Sequence, residues 1–361
     1  MQILLLDGGL GTTLESPPFN ITFTAETPLW SSHLLISSPS TLQSAHRAFF
    51  NAGADIILTA TYQSSIEGFL LTDASHTTKD AEQYMRSAVP LSRSVISAAC
   101  PAGERQSQTR PPCRVALSLG PYGATMTPVA AEYTGIYPEA MDREVALREW
   151  HSARLRVFIH NCESESRSWD QVDYVAFETV RRADEVCAVR GAMRDVLHGE
   201  QKKPWWICGV FPAEEVDEID VRRWVDAAIG QTHSGLPRPW GIGLNCTRID
   251  HVARIVEIMR DQLQFLAREN GFLDEWDSPS GRPWLVLYPD GTKGEKYDPA
   301  IKTWVKSRPE GVQRPWDESF WDVVQSQSEG DWEGIIVGGC CRVEPADIAA
   351  LRRKIDKADS A

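Results

Sequence analysis

IIVGGCCR, residues 335–342, reads as a short buried strand, Ile335 to Val337, that exits through two glycines and delivers two adjacent thiols, Cys340 and Cys341. Neighbouring cysteines rarely bond to each other, because the small ring strains the peptide between them. Two thiols at the mouth of a buried strand are therefore either inert core residues or paired ligands for a soft metal. Glycines before them allow a close backbone approach, so Gly338 and Gly339 are expected to keep the strand end clear for metal and substrate. WGIGLNCTR, residues 240–248, has the same form: an apolar run that ends in Cys246. If the two strands belong to one parallel sheet, all three thiols meet at the same end.

Working outward, six more runs share this character. They are Ile3–Leu6, then ADIILTATYQSS (54–65), RVALSLGPYG (114–123), VDYVAFETV (172–180), PWWICGVFP (204–212) and PWLVLYPDG (283–291). Helical stretches fall between them, at 40–52, 78–99, 138–161, 183–197, 221–229 and 249–268, with a last one at 345–357. Before the final strand, 298–330 forms a long, tryptophan-rich connection with a helical piece around 319–327, a candidate insertion or lid. Near-continuous apolar strands mark a parallel sheet covered on both faces. Eight such units predict an α/β fold, a single (β/α)8 TIM barrel spanning 1–361, with a doubly wound open sheet as the rival. In both folds ligands sit at the C-terminal strand ends. Here those ends carry Asp7, Thr59–Gln63, Gly120–Tyr122, Glu178, Cys246, Tyr288 and Cys340–Cys341.

Composition narrows the function. A net charge of -13 speaks against a nucleic-acid partner. No apolar run approaches the ~20 residues of a membrane span, and MQILLLDGG lacks the basic start of a signal peptide. Eight scattered cysteines suggest a reducing, cytoplasmic setting rather than a disulfide framework. Cys100, Cys113, Cys162, Cys187 and Cys208 read as small buried hydrophobes. The eight histidines show no ligand spacing, and the tryptophans read mainly as packing.

DGGLGTTLE, TATYQSS, SLGPYG, FETV, GLNCT, YPDG and GGCC, in that order, resemble the homocysteine S-methyltransferase family. The likeness runs from Asp7 to Cys341, and GGCC with an upstream G-x-N-C and an opening DGG makes it specific. It implies a TIM barrel with one catalytic zinc at the C-terminal face, held by Cys246, Cys340 and Cys341. Asp290 stands where the family's seventh-strand motif more often has Asn, which bears on the donor pocket. No cobalamin or folate module is expected, and Tyr62-Gln63 after TAT looks more like the S-methylmethionine branch than the betaine one.

The implied chemistry suits these residues. A free thiol has a pKa near ~8.5 and is mostly protonated at neutral pH, whereas coordination to zinc deprotonates it. Three protein thiolates leave one tetrahedral position for the substrate's sulfur. A sulfonium donor leaves as a neutral thioether, so no general base is expected. The resemblance makes Glu178 a ligand of the homocysteine amino group, with Arg181 or Arg182 as the alternative salt-bridge partners. Asp7 is read either as a second substrate carboxylate or as a loop cap; Gly8 and Gly9 amides, or Thr59 and Thr61 hydroxyls, would receive the substrate carboxylate. Gln63 and Tyr288 complete the candidate contacts. The function expected is transfer of a methyl group from S-methylmethionine to homocysteine. The rivals are S-adenosylmethionine or betaine as donor, another thiol or selenol as acceptor, or a non-catalytic zinc- or thiol-binding barrel.

Overall fold

A computed structural model describes residues 1–24, 27, 29–99, 112–126, 131–160, 167–197, 201–230, 235–270, 281–292, 295–298, 303–306, 314–327 and 330–360. Its strands are β1 (Gln2–Leu5), β2 (Ile56–Leu58), β3 (Arg114–Leu119), β4 (Tyr174–Phe177), β5 (Trp205–Gly209), β6 (Gly241–Asn245), β7 (Trp284–Tyr288), β8 (Glu295–Asp298), β9 (Thr303–Lys306) and β10 (Gly334–Val337). Eight of them form one parallel sheet in the order β1-β10-β7-β6-β5-β4-β3-β2. The ring is joined between β1 and β2 by the parallel bridge Leu6–Ile56 and by backbone bonds from Asp55 N to Leu5 O and Asp7 N to Ile56 O. That joint decides for the barrel over the open sheet.

Strand alternation explains both apolar layers. Val175, Phe177, Ile207, Leu244, Leu285 and Val337 face outward into the large core beneath the helices. Tyr174, Ala176, Trp206, Cys208, Val286 and Ile336 face inward. Four rings fill the lower half of the barrel: Trp240 stacks on Trp284 at 4.7 Å, and Tyr174 touches Trp206 and Trp240 at 5.6 and 5.5 Å. Gly334 makes room for them, since a Cβ there would meet the Trp284 ring at 2.7 Å, while Gly243 lets β6 lie close to β7, where a Cβ would meet the Val286 carbonyl oxygen at 1.7 Å. With the floor plugged by aromatics, a ligand approaches the barrel axis from the C-terminal end.

Two expected elements differ. The helix anticipated at 138–161 begins at Glu144 and ends at Ile159, because Glu139–Met141 forms a separate 3-10 turn and Arg143 is extended. The polar exit of β7 contains an antiparallel hairpin, β8 with β9, where charged residues gave no apolar run to recognise. Within the candidate insertion the helix is Trp316–Gln325, whereas 299–302, 307–313 and 328–329 lie outside the described residues. Cys100, Cys162 and most of the 101–112 loop lie outside them too. Cys113, Cys187 and Cys208 are buried free thiols, as expected. No helix among the described residues is long and apolar enough to cross a membrane.

Candidate active site

Cys246, Cys340 and Cys341 converge at the barrel mouth. Their sulfur atoms lie within 4.8 Å of one another, and all three residues are half-buried, open to a ligand entering from the mouth. Cys246 and Cys340 are joined as a disulfide in this structure, and Cys341 is a free thiol. A tetrahedral zinc with Zn–S near ~2.3 Å sets its sulfurs about 3.8 Å apart. Small side-chain movements therefore bring the reduced trio to that geometry, and the donor set suits a soft metal. As a bare thiol Cys341 is pushed up to about 12, first by desolvation and then by Asp290, Glu132 and Glu15. A cation among the sulfurs is what would ionise it at neutral pH.

The backbone around the sulfurs is shaped for this. Cys246 has φ 47°, and Thr179 and Arg342 also adopt left-handed conformations, at φ 60° and 62°. Such residues persist only where their surroundings hold them. Asn245 does so for Thr179: its Oδ1 accepts from Thr179 N at 2.6 Å, and its Nδ2 donates to Thr179 Oγ1 at 2.8 Å. The same Nδ2 points at the sulfurs of Cys246 and Cys340, at 3.4 and 4.0 Å. Gly338 and Gly339 act differently from the expectation. A Cβ on Gly338 would meet Leu6 Cβ at 2.7 Å, and one on Gly339 would meet Val343 Cγ1 at 2.1 Å. These glycines let β10 and its exit lie tightly against β1 and residue 343; that close protein packing, rather than room for metal and substrate, requires them.

The acids stand at other strand ends of the same barrel face, Asp7 after β1 beside β10 and Glu178 after β4. Asp7 is buried; its Oδ2 accepts from Leu58 N at 2.9 Å while Oδ1 has no partner. Burial, then the charge of Glu178, holds its carboxyl well above the usual range. Asp7 is thus a cap through one oxygen and an unsatisfied acceptor through the other. Glu178 is buried and accepts from the Ser118 hydroxyl. Burial raises it to about 7, against the Ser118 and Tyr288 hydroxyls and the Arg154 charge. Neither arginine considered for it is its partner: Arg182 pairs with Asp142 and Asp184, and Arg181 with Asp220. Tyr288 is buried in the barrel interior, where its hydroxyl faces Glu178, Trp206 and Cys208.

The remaining candidates are more internally committed. Gly9 N donates to Val343 O, so that amide is spent. Thr59 Oγ1 accepts from Ser118 N and shares a 2.6 Å bond with the Thr61 hydroxyl, which reaches Ser118 O. These threonines tie β2 to β3. Gln63 is half-buried in the turn after β2, and Gly8 lies against Phe49 and the Val343 carbonyl. Asp290 binds its own loop, accepting from the Thr292 hydroxyl at 2.8 Å.

Sequence reasoning missed Asn245, Ser118 and Arg154. The G-x-N-C and SLGPYG motifs carried the first two in plain view. Arg154, inside a helix, had no signal: buried, it donates to the carbonyls of Gly120, Thr61 and Tyr62 at 2.7 Å each and lies over the Trp150 ring.

Comparison with known proteins places this geometry. Residues 4–355 match the family described as homocysteine S-methyltransferase. The chain is 27% identical to homocysteine S-methyltransferase 3 of Arabidopsis thaliana over 99% of its length and 91% of that protein's. It is 28% identical to selenocysteine Se-methyltransferase of Brassica oleracea var. italica, covering 97% of this chain and 88% of that one. The metallated form of the homocysteine methyltransferase MmuM from Escherichia coli shares the fold, with a TM-score of 0.65 at 23% identity, over 98% of this chain and 96% of that one.

Proposed function

The chain belongs to the homocysteine S-methyltransferase family, enzymes that move a methyl group onto homocysteine, and from that premise we propose S-methylmethionine as its donor and zinc as its metal. The observation that carries the reading is that three half-buried sulfurs, from the ends of β6 and β10, share the C-terminal end of the barrel with two buried carboxylates, Asp7 after β1 and Glu178 after β4. Cys246, Cys340 and Cys341 would hold the metal once the Cys246–Cys340 pair is in its dithiol form. Zinc on three thiolates supplies one open position and keeps a fourth sulfur ionised at neutral pH.

The chain's own residues do the rest. Glu178, oriented by the Ser118 hydroxyl, takes the homocysteine ammonium, and the free Oδ1 of Asp7 adds a second acceptor. The cation's charge draws both carboxyls to their ionised forms, which burial otherwise opposes. Asn245 Nδ2 donates toward the sulfurs of Cys246 and Cys340 and fixes the Cys246 turn through Thr179. Gly8, Gly9, Thr59 and Gln63 shape the rim, and Tyr288 the floor. The homocysteine thiolate attacks the donor's methyl carbon. A sulfur–carbon bond forms as the sulfonium's bond breaks, and the electron pair leaves on a neutral thioether. No proton moves in that step. Positioning provides most of the acceleration.

Chelation of the metal, or Cys340→Ala, should reduce methionine formation from homocysteine and S-methylmethionine to background. Full turnover after either change would refute the proposal.

A further inference from the structure

One buried acid at the mouth has no role in the mechanism above. Glu132 is 8% exposed, and its Oε2 has no hydrogen-bond partner. It sits on the connection that follows β3, where residues 131–137 are tied down by hydrogen bonds and packing. Ala131 N donates to Gly123 O at 2.9 Å, and a Cβ on Gly123 would meet Glu132 N at 2.8 Å. Further along, the Tyr137 hydroxyl donates to Glu185, which also accepts from Tyr122 N and meets His151, while Arg182 donates to Gly135 O and covers the Tyr137 ring. Anchored in this way, the 131–137 stretch presents an unsatisfied carboxylate. Two tyrosines flank it. Tyr133 is its chain neighbour, and Tyr62, in the turn after the neighbouring β2, lays its ring over Gly120 at the exit of β3. Glu132 acts electrostatically on Tyr62, Tyr133 and Cys341, so the group stands on the sulfur side of the mouth.

We propose that Glu132, Tyr133 and Tyr62 bind the onium head of the methyl donor, a sulfonium or a quaternary ammonium, beside the sulfur cluster. This assignment rests on the methyl-transfer reading above. A carboxylate and two aromatic faces attract a cation and have little hold on a neutral molecule. When the methyl leaves, the donor becomes neutral and the attraction falls. The subsite therefore favours donor over product and helps the product depart. Because it grips the ground state more than the transition state, its loss appears in the donor's KM and not as a lower kcat.

The test uses zinc-loaded enzyme at saturating homocysteine. Glu132→Gln should raise the KM for S-methylmethionine about 30-fold or more, without lowering kcat, with homocysteine KM and bound zinc unchanged. Tyr133→Leu should raise the same KM about 2- to 30-fold. Direct binding of S-methylmethionine, betaine and methionine should show wild type preferring an onium over the neutral thioether, and Glu132→Gln losing that preference. Dependence of betaine rather than S-methylmethionine binding on Glu132 would assign the quaternary ammonium donor to the same subsite. Unchanged donor KM and preference in both folded variants, or wild-type binding of neither onium, would overturn the proposal. Turnover without dependence on Glu132 overturns this subsite alone. Glu132-dependent onium binding with no methyl transfer to homocysteine overturns the functional reading and leaves the subsite standing.

Discussion

Glu178→Gln removes one buried charge while keeping an acceptor for the Ser118 hydroxyl. In the ligand-free protein burial raises this carboxyl from 4.5 to about 7. The folded chain then holds a proton that the unfolded chain has released. Stability is full below the unfolded value, falls as pH rises between the two, and levels off above the folded one. At 1.36 kcal/mol per unit the gap amounts to about 3 kcal/mol at pH 8. Unfolding entropy near ~2.1 cal/mol/K per residue, over 361 residues, converts this to roughly 4 °C in melting temperature. Because pH 5 already lies above the unfolded value, about 2.5 kcal/mol of this falls between pH 5 and pH 8, and thermal melts of reduced protein at those two pH values should show wild type losing about 3 °C more than the variant. Asp7 and Glu132 titrate in both proteins; because the Glu178 charge also raises Asp7, the difference between the two reports Glu178 together with its coupling to Asp7. Homocysteine should reverse the ranking at pH 8, because its ammonium stabilises the ionised carboxylate of wild type alone. Its affinity should fall about 30-fold or more in the variant. Parallel pH curves for the two proteins, or equal homocysteine affinity, would refute the role given to Glu178.

Asn245→Ala should lower metal affinity about 10- to 100-fold, because the amide that fixes Thr179 and donates toward two sulfurs is gone; titration of the reduced protein against a chromogenic chelator measures it. Arg154→Lys keeps the charge but not the fork that reaches three carbonyls, and each carbonyl left unpaired should cost about 1–3 kcal/mol. Denaturant midpoints report that loss, and the donor's KM should rise with it because Tyr62 is one of the residues held.

Much of the fold was legible because a parallel barrel writes each strand as an unbroken apolar run. Val175, Phe177 and Ile207 meet helices while Tyr174, Ala176 and Trp206 meet the barrel axis, so both faces had to be apolar. The hairpin of β8 and β9 has no such constraint, and its charged residues read as loop. The helix after Pro138 was placed too early for a related reason: proline marks a possible start, but Arg143 in an extended conformation resets it.

In the site, what could be read were residues whose chemistry is unusual wherever it occurs. Adjacent cysteines after glycines, and a third at another strand end, have few readings, and the structure brings their sulfurs together. The glycines themselves were misjudged. A missing side chain signals close approach without naming what approaches, and here it is Leu6 and Val343. Carboxylates are harder still, since a surface Glu and a functional one are the same letter. Glu178 could be singled out because it ends a strand. Glu132 lies in a polar loop, and only burial with an unpartnered oxygen distinguishes it. Burying a carboxylate without a partner costs free energy, so a chain that keeps one at a ligand's entrance implies that the partner is the ligand. Asp7 Oδ1 and Glu132 Oε2 are both in this position. Together they give the mouth its demand for more than one positive charge, which an amino-acid acceptor and an onium donor together would meet.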